Sequence, residues 1–265
     1  MKLKYSTKLF IVVNLIIIAL RTSQIMFLTE DHTAFLKNGY LAINIIVMLI
    51  LISLLAALFW ITYNAVRQPL EVNFKGIPSC VAAGVSALLY VICFADTISS
   101  KPYGWVVMSL LSVLSALALI ILAISAIKDY KLVKFVAFPL IAYWAVEFVF
   151  TYLFYTERPL RVRTVYEIFA ICFVILFLII FGKVTGGVNT KKNFRLMYPI
   201  GLLAGSLCLA SVVPEMIASI FGYSDKVAES AVMPVILISA AIFTIFFTIN
   251  TFKKNNTVRP NHYDI

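Results

Sequence analysis

The chain has 265 residues, of which 62% are hydrophobic and 13% charged, and its mean hydropathy is +1.00. A water-soluble domain carries about 25% charged residues, so this composition excludes a soluble globular protein and predicts an integral membrane protein. The net charge is +10. Because the basic residues recur from loop to loop instead of forming one patch, we expect membrane lipids as partners and no nucleic acid.

Eight apolar runs, each about 20 residues long, predict eight transmembrane helices. They cover residues 9–28, 40–63, 78–98, 105–127, 135–155, 165–181, 198–221 and 231–251. The strands of a membrane barrel would instead alternate apolar and polar residues over about 10 positions. The sequence therefore predicts an all-α, polytopic membrane protein.

The distribution of lysine and arginine predicts how this bundle is oriented. With the N-terminus inside, fifteen basic residues face the cytoplasm and six face outward, and cytoplasmic loops are the ones that carry such an excess. Both termini are thus predicted to be cytoplasmic. The first apolar run contains Arg21 and lacks a small-residue cleavage pattern, so we interpret it as an uncleaved span. A bacterial cytoplasmic membrane is the expected location.

Several residues recur at similar spacing in the two halves of the chain. Pro78 and Gly84 correspond to Pro199 and Gly205, and Asp96 corresponds to Glu215. This pattern predicts a tandem duplication of a four-helix unit, with residues 1–130 and 131–252 as parallel halves and 253–265 as a polar cytoplasmic tail. The alternative is coincidence in a chain rich in leucine, isoleucine, valine and alanine.

Ionisable residues inside the predicted spans require an explanation, since a charge within lipid is costly and normally faces the bundle interior. Arg21, Glu147 and Glu215 are the clear cases, and Asp96 lies near the outer end of the third span. Arg21 and Glu147 both lie twelve residues into their spans, or about 18 Å deep. We therefore expect them to form a pair.

The neighbours of these residues extend the polar faces. Gln24 lies on the same side of the first helix as Arg21, and Tyr143, Glu147 and Thr151 follow at intervals of four residues on the fifth. The seventh helix presents small residues that end in Glu215. The proline before that glutamate removes a backbone donor, as often happens near transporter binding sites.

The loop after the fifth span contains three arginines, although it lies on the predicted outer side, where the positive-inside rule predicts few basic residues. Together these features predict an outward-facing polar cavity for a small anionic or zwitterionic ligand. The predicted ligand-binding residues are Arg21, Gln24, Asp96, Tyr143, Glu147, Thr151, Arg158, Arg161, Arg163 and Glu215. The alternative interpretation is a structural ion pair, with the loop arginines reaching lipid phosphates.

Catalytic and metal-binding signatures are missing from the sequence. It contains two histidines, His32 and His262, and no metalloprotease helix, nucleophile elbow or phosphate-binding loop. The outer-loop run Glu30-Asp31-His32 is the best candidate for general-base chemistry, but three polar neighbours in a loop usually form a solvated turn. We therefore expect no catalytic residue, no metal and no cofactor.

Three functions remain open at this stage. The preferred one is a transport or ligand-binding protein of the permease type, with its site between the first, third, fifth and seventh helices. In this hypothesis Arg21 holds the negative group of the ligand and Glu147 is a proton-linked switch. The second is an accessory protein whose small-residue faces pack against a partner membrane subunit. The third is an intramembrane transferase on lipid-linked substrates that uses Asp31, His32 or Asp96.

Overall fold

The protein is a bundle of eight α-helices in a computed structural model that describes residues 3–30, 36–37, 39–66, 76–100, 106–127, 135–156, 162–188, 190–223 and 232–256, with only the backbone at some helix ends. The helices are α1 Leu3–Ser23, α2 Leu41–Ala65, α3 Ile77–Ser100, α4 Val106–Ser125, α5 Ala137–Thr156, α6 Val162–Thr185, α7 Thr190–Ile220 and α8 Val232–Asn256. A π-helical turn, Gln24–Leu28, continues α1.

The prediction of an all-helical membrane protein is confirmed. Seven helices are long and apolar enough to cross a membrane, and they expose many large apolar side chains, as a lipid-facing surface requires. The remaining helix, α5, is apolar over Ala137–Tyr152, which is shorter than the other spans. The count of eight spans therefore stays a prediction.

The helices extend further than the apolar runs that predicted them. α7 begins at Thr190, eight residues before the predicted start, and includes Lys192 and Arg195. Hydropathy finds only the part of a helix that lies in hydrocarbon, whereas lysine and arginine side chains near a helix end can reach the interface. The apolar run therefore marks the position of the membrane and not the end of the helix.

Six of the helices form a closed body. α3 packs against α4 and α8, α5 packs against α4 and α6, and α7 packs against α6 and α8. Aromatic side chains fill the body: Tyr90 meets Tyr143 edge-to-face at 5.0 Å between ring centroids, and Phe181 meets Phe247 in the same way at 5.3 Å. Such pairs stabilise helix contacts beyond the area they bury.

The first two helices form a hairpin on the outside of this body. Among the described residues, α1 and α2 pack extensively against each other and against α7. Only 11% of the most apolar window of α2 is buried, compared with 83% for α7. α2 is therefore peripheral, and α7 is the central helix that joins the α1–α2 hairpin to the body.

Contacts between helix termini define the two ends of the bundle. At one end, Ser6 of α1 lies 3.2 Å from the Tyr198 hydroxyl of α7, and the Tyr198 ring packs on Phe252 of α8 at 4.5 Å. We call this the Arg195 end. At the other, the Arg21 end, α1 finishes where α6 begins. The starts of α1 and α7 and the finish of α8 therefore share one end, and its orientation towards the cytoplasm stays a prediction.

The helix packing gives the proposed duplication no support. A repeat would make α2 and α3 the counterparts of α6 and α7. α6 and α7 pack together extensively, but α2 and α3 have no comparable contact within the described part of the chain. The tandem repeat therefore stays a prediction from the sequence.

Two glycines allow α7 to approach its neighbours. A β-carbon on Gly201 would overlap Thr248 of α8 and lie 2.9 Å from Phe177 of α6, and one on Gly205 would overlap Ile245. At Gly84 of α3, by contrast, a β-carbon would meet no atom within 4 Å. The small-residue face of α7 therefore serves packing within the subunit.

We expect Gly201→Ala and Gly205→Ala to destabilise the bundle by about 1–3 kcal/mol each, because an added methyl group forces α7 away from α6 and α8. Gly84→Ala is the matched control and should leave stability unchanged or raise it by up to about 1 kcal/mol, because alanine favours the helix and meets no neighbour there. Unfolding in mixed micelles of mild detergent and dodecyl sulfate would measure the difference. Equal stability of all three variants would contradict the close packing of α7.

Candidate functional site

The last turn of α1 directs an arginine into the bundle at the Arg21 end. Arg21 is only 1% exposed, and its Nη1 donates a hydrogen bond of 2.6 Å to Oε1 of Gln24. Its guanidinium carbon lies 4.1 Å from the centre of the Tyr166 ring, on α6. A cation that has lost its water gains about 2 kcal/mol from an aromatic face, so Tyr166 helps to make this burial tolerable.

Gln24 joins three parts of the structure. Its Oε1 accepts hydrogen bonds from Arg21 and, at 3.2 Å, from the Tyr166 hydroxyl. Its Nε2 donates to Oδ1 of Asn44 on α2. The Tyr166 hydroxyl also lies 3.2 Å from the sulfur of Met48 on α2. The amide therefore connects α1, α2 and α6 in one polar network, which we call the Arg21 network.

A change of helix geometry begins at Gln24. Arg21 and Gln24 are three residues apart and therefore share a face of α1, but from Gln24 to Leu28 the backbone forms a π-helical turn. Such turns are rare and recur at functional sites. The wider turn buries Gln24, Ile25 and Leu28 together, and so keeps the amide inside the bundle. The sequence alone gave no sign of this turn.

Two buried carboxylates belong to the body. Glu215, which the sequence predicted as a site residue, lies in the last two turns of α7 and is 4% exposed. α1 and the π-helical turn both pack on α7. Glu167 follows Tyr166 on α6 and is also 4% exposed. Arg21, Glu167 and Glu215 are the buried arginine, lysine, aspartate or glutamate side chains within the described part of the chain.

Sequence reasoning missed Glu167. The predicted sixth span began at residue 165, which put this glutamate at the span boundary, where a charge needs no explanation. α6 in fact begins at Val162, so Glu167 lies inside the helix. A signal was present, because Tyr166 and Glu167 open an otherwise apolar run and could have been counted as a polar start of the helix.

The other predicted site residues of α5 lie in a different part of the bundle. Tyr143 is buried against Tyr90 of α3 and Trp144, and the indole of Trp144 donates a hydrogen bond to Tyr90. Glu147 is half-buried within electrostatic range of Tyr90 and Tyr143, and Thr151, also half-buried, lies one turn further on.

The helices that carry the predicted site residues have different packing neighbours. α1 packs on α2 and α7, whereas α5 packs on α4 and α6, and α3 packs on α4 and α8. Within the described residues, α5 packs extensively on neither α1 nor α7, and one common site between the first, third, fifth and seventh helices stays a prediction. The described neighbours of Arg21 are Gln24 and Tyr166, those of Glu147 are two tyrosines, and the Arg21–Glu147 pair stays a prediction.

Four further predicted residues have no described side chain. Asp96 lies in α3 and Arg163 in α6, where only the backbone is described, and Arg158 and Arg161 lie outside the described residues. The proposed loop chemistry of Asp31 and His32 also falls outside them. The role of the arginine loop as the mouth of a cavity stays a prediction.

A small cavity lies in the centre of the body. It is lined by Ser86, Tyr90, Trp144, Ser239 and Thr244 among other residues, and its volume is about 10 Å³. The hydroxyls of Ser86 and Ser239 bond to each other's backbone carbonyls at 3.1 and 3.3 Å. A space of this volume holds about one water molecule at most, so this cavity does not accommodate a solute.

Comparison with known proteins identifies no relative of the chain. No protein-family model, curated protein or solved structure matches it. The Arg21 network and the two buried carboxylates near the same end are therefore the features from which a function can be inferred.

We expect Tyr166→Phe to cost about 0.5–1.5 kcal/mol of stability, because it removes the hydroxyl bond to Gln24 and keeps the ring under the guanidinium. Tyr166→Leu should cost about 2 kcal/mol more, because the ring is lost as well. Unfolding in mixed micelles would measure both variants.

Phe169→Leu is the control for these variants, since this ring is 52% exposed on the same helix and should tolerate the change. If Tyr166→Phe and Tyr166→Leu are equally stable, the ring contributes nothing to the burial of Arg21.

Proposed function

We propose that the protein is a multi-pass membrane transport or ligand-binding protein that takes a small zwitterionic or anionic molecule, or a lipid headgroup of the same chemistry, at its Arg21 end. In this proposal all eight helices cross a bacterial cytoplasmic membrane. Both termini are cytoplasmic and the Arg21 end faces outward, as the basic loops predict. Arg158, Arg161 and Arg163 would then attract anions at the entrance.

The burial of Arg21 is the observation that carries this proposal. The Tyr166 ring covers one face of the guanidinium and Gln24 accepts from Nη1, so the group is held in a fixed plane. A guanidinium binds carboxylate or phosphate oxygens through N–H donors in that plane. Fixing the plane beforehand lowers the entropy cost of binding an oxyanion.

The carboxylates of the body favour a zwitterion over a simple anion. Glu167 and Glu215 are buried near the same end as Arg21, and a buried carboxylate is suited to an ammonium group. A molecule with an oxyanion and an ammonium a few bonds apart, such as an amino acid or an aminoalkyl phosphate, offers both charges. We infer that Arg21 holds the oxyanion and that Glu167 and Glu215 hold the ammonium.

A transporter of this kind also needs a group that changes charge during its cycle. Carboxyl groups inside a membrane serve as proton relays in pumps and transporters. Glu147 of α5 fills this role in the proposal, as a proton-linked switch beside Tyr90 of α3 and Tyr143 of α5.

The accessory-protein alternative has less support. It relies on small-residue faces that pack against a partner, but Gly201 and Gly205 contact α6 and α8 of the same chain. Of Gly84, Gly201 and Gly205, only Gly84 has open space around it that another subunit could occupy.

The proposal predicts that O-phosphoethanolamine raises the thermal midpoint of the protein in lipid nanodiscs more than inorganic phosphate or ethanolamine does, because only the zwitterion offers both charges. Arg21→Gln should weaken its binding about tenfold to a hundredfold, as expected for a charge-assisted contact of about 1.5–3 kcal/mol. Glu167→Gln and Glu215→Gln should remove the preference for the zwitterion over phosphate. Titration calorimetry gives the affinities.

Lys183→Gln is the matched control, since it removes one positive charge from an exposed position at the opposite end of α6. Nanodiscs of phosphatidylethanolamine and of phosphatidylglycerol distinguish a lipid headgroup from a free solute: stabilisation by the first lipid alone, without added ligand, indicates a headgroup. Unchanged affinity in the Arg21 variant would refute this site.

A further inference from the structure

The interface between the α1–α2 hairpin and the six-helix body has an unusual arrangement of polar contacts. α7 provides its main surface on the body. The side chains that the hairpin buries along its middle are mostly apolar and include Val13, Ile17, Leu51 and Leu58. Asn14 is buried there too, and its Nδ2 donates to the Phe10 carbonyl of its own helix. In lipid, apolar contacts between helices have little directional preference, because lipid tails can replace them. The polar contacts at the ends therefore determine the angle of the hairpin.

Each end of this interface has an arginine stacked on a tyrosine. At the Arg21 end, Arg21 of the hairpin lies 4.1 Å from the Tyr166 ring centre of the body. At the Arg195 end, Arg195 of the body lies 4.1 Å from the Tyr63 ring centre of the hairpin, and its Nε donates to the Tyr63 carbonyl at 3.3 Å. The two contacts have the same chemistry, but the hairpin carries the arginine at one end and the tyrosine at the other.

We propose that the α1–α2 hairpin rocks against the body and that these two contacts are latches that open alternately. Opening the Arg21–Tyr166 latch would expose the Arg21 end, and opening the Arg195–Tyr63 latch would expose the other. Both latches are closed in this structure, which corresponds to an occluded state. That the exposed groups bind a ligand rests on the proposed function, but the rocking itself does not.

The Arg21 network shows which contacts separate when the first latch opens. Arg21, Gln24 and Asn44 all belong to the hairpin or its π-helical turn and bond to one another. Tyr166 belongs to the body. When the hairpin tilts, the first three residues move together and the contacts of Arg21, Gln24 and Met48 to Tyr166 break. The hairpin therefore keeps Arg21 hydrogen-bonded in both states, which lowers the cost of opening.

Distances measured by double electron–electron resonance on protein in nanodiscs would test the proposal without any ligand. One pair of nitroxides at Phe27 and Phe169 reports on the Arg21 end, and a second pair at Trp60 and Phe135 reports on the Arg195 end. All four side chains are more than half exposed, at 62%, 52%, 68% and 66%. Labels on genetically encoded p-acetylphenylalanine leave the four native cysteines unchanged.

We expect Tyr166→Leu to lengthen the distance at the Arg21 end alone and Tyr63→Leu to lengthen the distance at the Arg195 end alone. The loss of the desolvated stacking contact of Arg21 should change the ratio of long to short distances about tenfold or more, and the loss of the half-buried contact of Arg195 should change it about twofold to fivefold. Tyr63→Phe keeps the ring and the backbone carbonyl, so it should reproduce the wild-type distances and show that a change at this position is tolerated.

Distances that do not change in either leucine variant would overturn the rocking proposal, and so would a broadening at both ends together, which indicates general loosening. The ligand titration of Arg21→Gln is a separate measurement. Weakened binding with unchanged distances would support the ligand site and refute the motion of the hairpin. Alternating distances with unchanged affinity would keep the hairpin and remove the site.

Discussion

The packing of α7 is the constraint on which the rest of the structure depends. This helix contacts α1, α2, α6 and α8, and only small residues allow it to approach the last two closely, which is why glycine occupies positions 201 and 205. The hairpin depends mainly on α7 for its position. How closely Arg21 on the hairpin can approach Tyr166 on the body therefore depends on how α7 packs on α6, while the polar contacts at the two ends determine the angle of the hairpin.

Buried charge is the second constraint, and it limits what the Arg21 end can be. A cation in the hydrocarbon region costs at least about 2.5–3.5 kcal/mol, and apolar residues of similar volume often replace a buried ion pair without loss of stability. A polar network with only a structural role would therefore stabilise the bundle less than apolar packing of the same volume. In the proposed function, Arg21, Glu167 and Glu215 hold the charges of the ligand, and Gln24 and Tyr166 keep the guanidinium in position.

The sequence predicted positions along each helix better than contacts between helices. Hydropathy located the helices, and the depth of Arg21 along α1 followed from counting residues. Neighbours could not be counted in this way. Depth gave Glu147 as the partner of Arg21, which stays a prediction, but it gave no sign of Tyr166, whose ring covers the guanidinium, because helix order around a bundle depends on packing and not on hydropathy. Glu167 was missed for a related reason, since an apolar window marks the limit of hydrocarbon and not the start of α6.

The division of charges between the two rigid parts links ligand chemistry to motion. A ligand can shift a conformational equilibrium only by the difference in its affinity for the two states. The hairpin supplies Arg21, and the body supplies Glu167 and Glu215. A simple anion would bind Arg21 about equally with the Arg21–Tyr166 latch open or closed, so it would shift little. A zwitterion would bridge hairpin and body only when that latch is closed. Its bound state would therefore be the occluded one, and release at the Arg195 end would require that the second latch weaken while the first remains bridged.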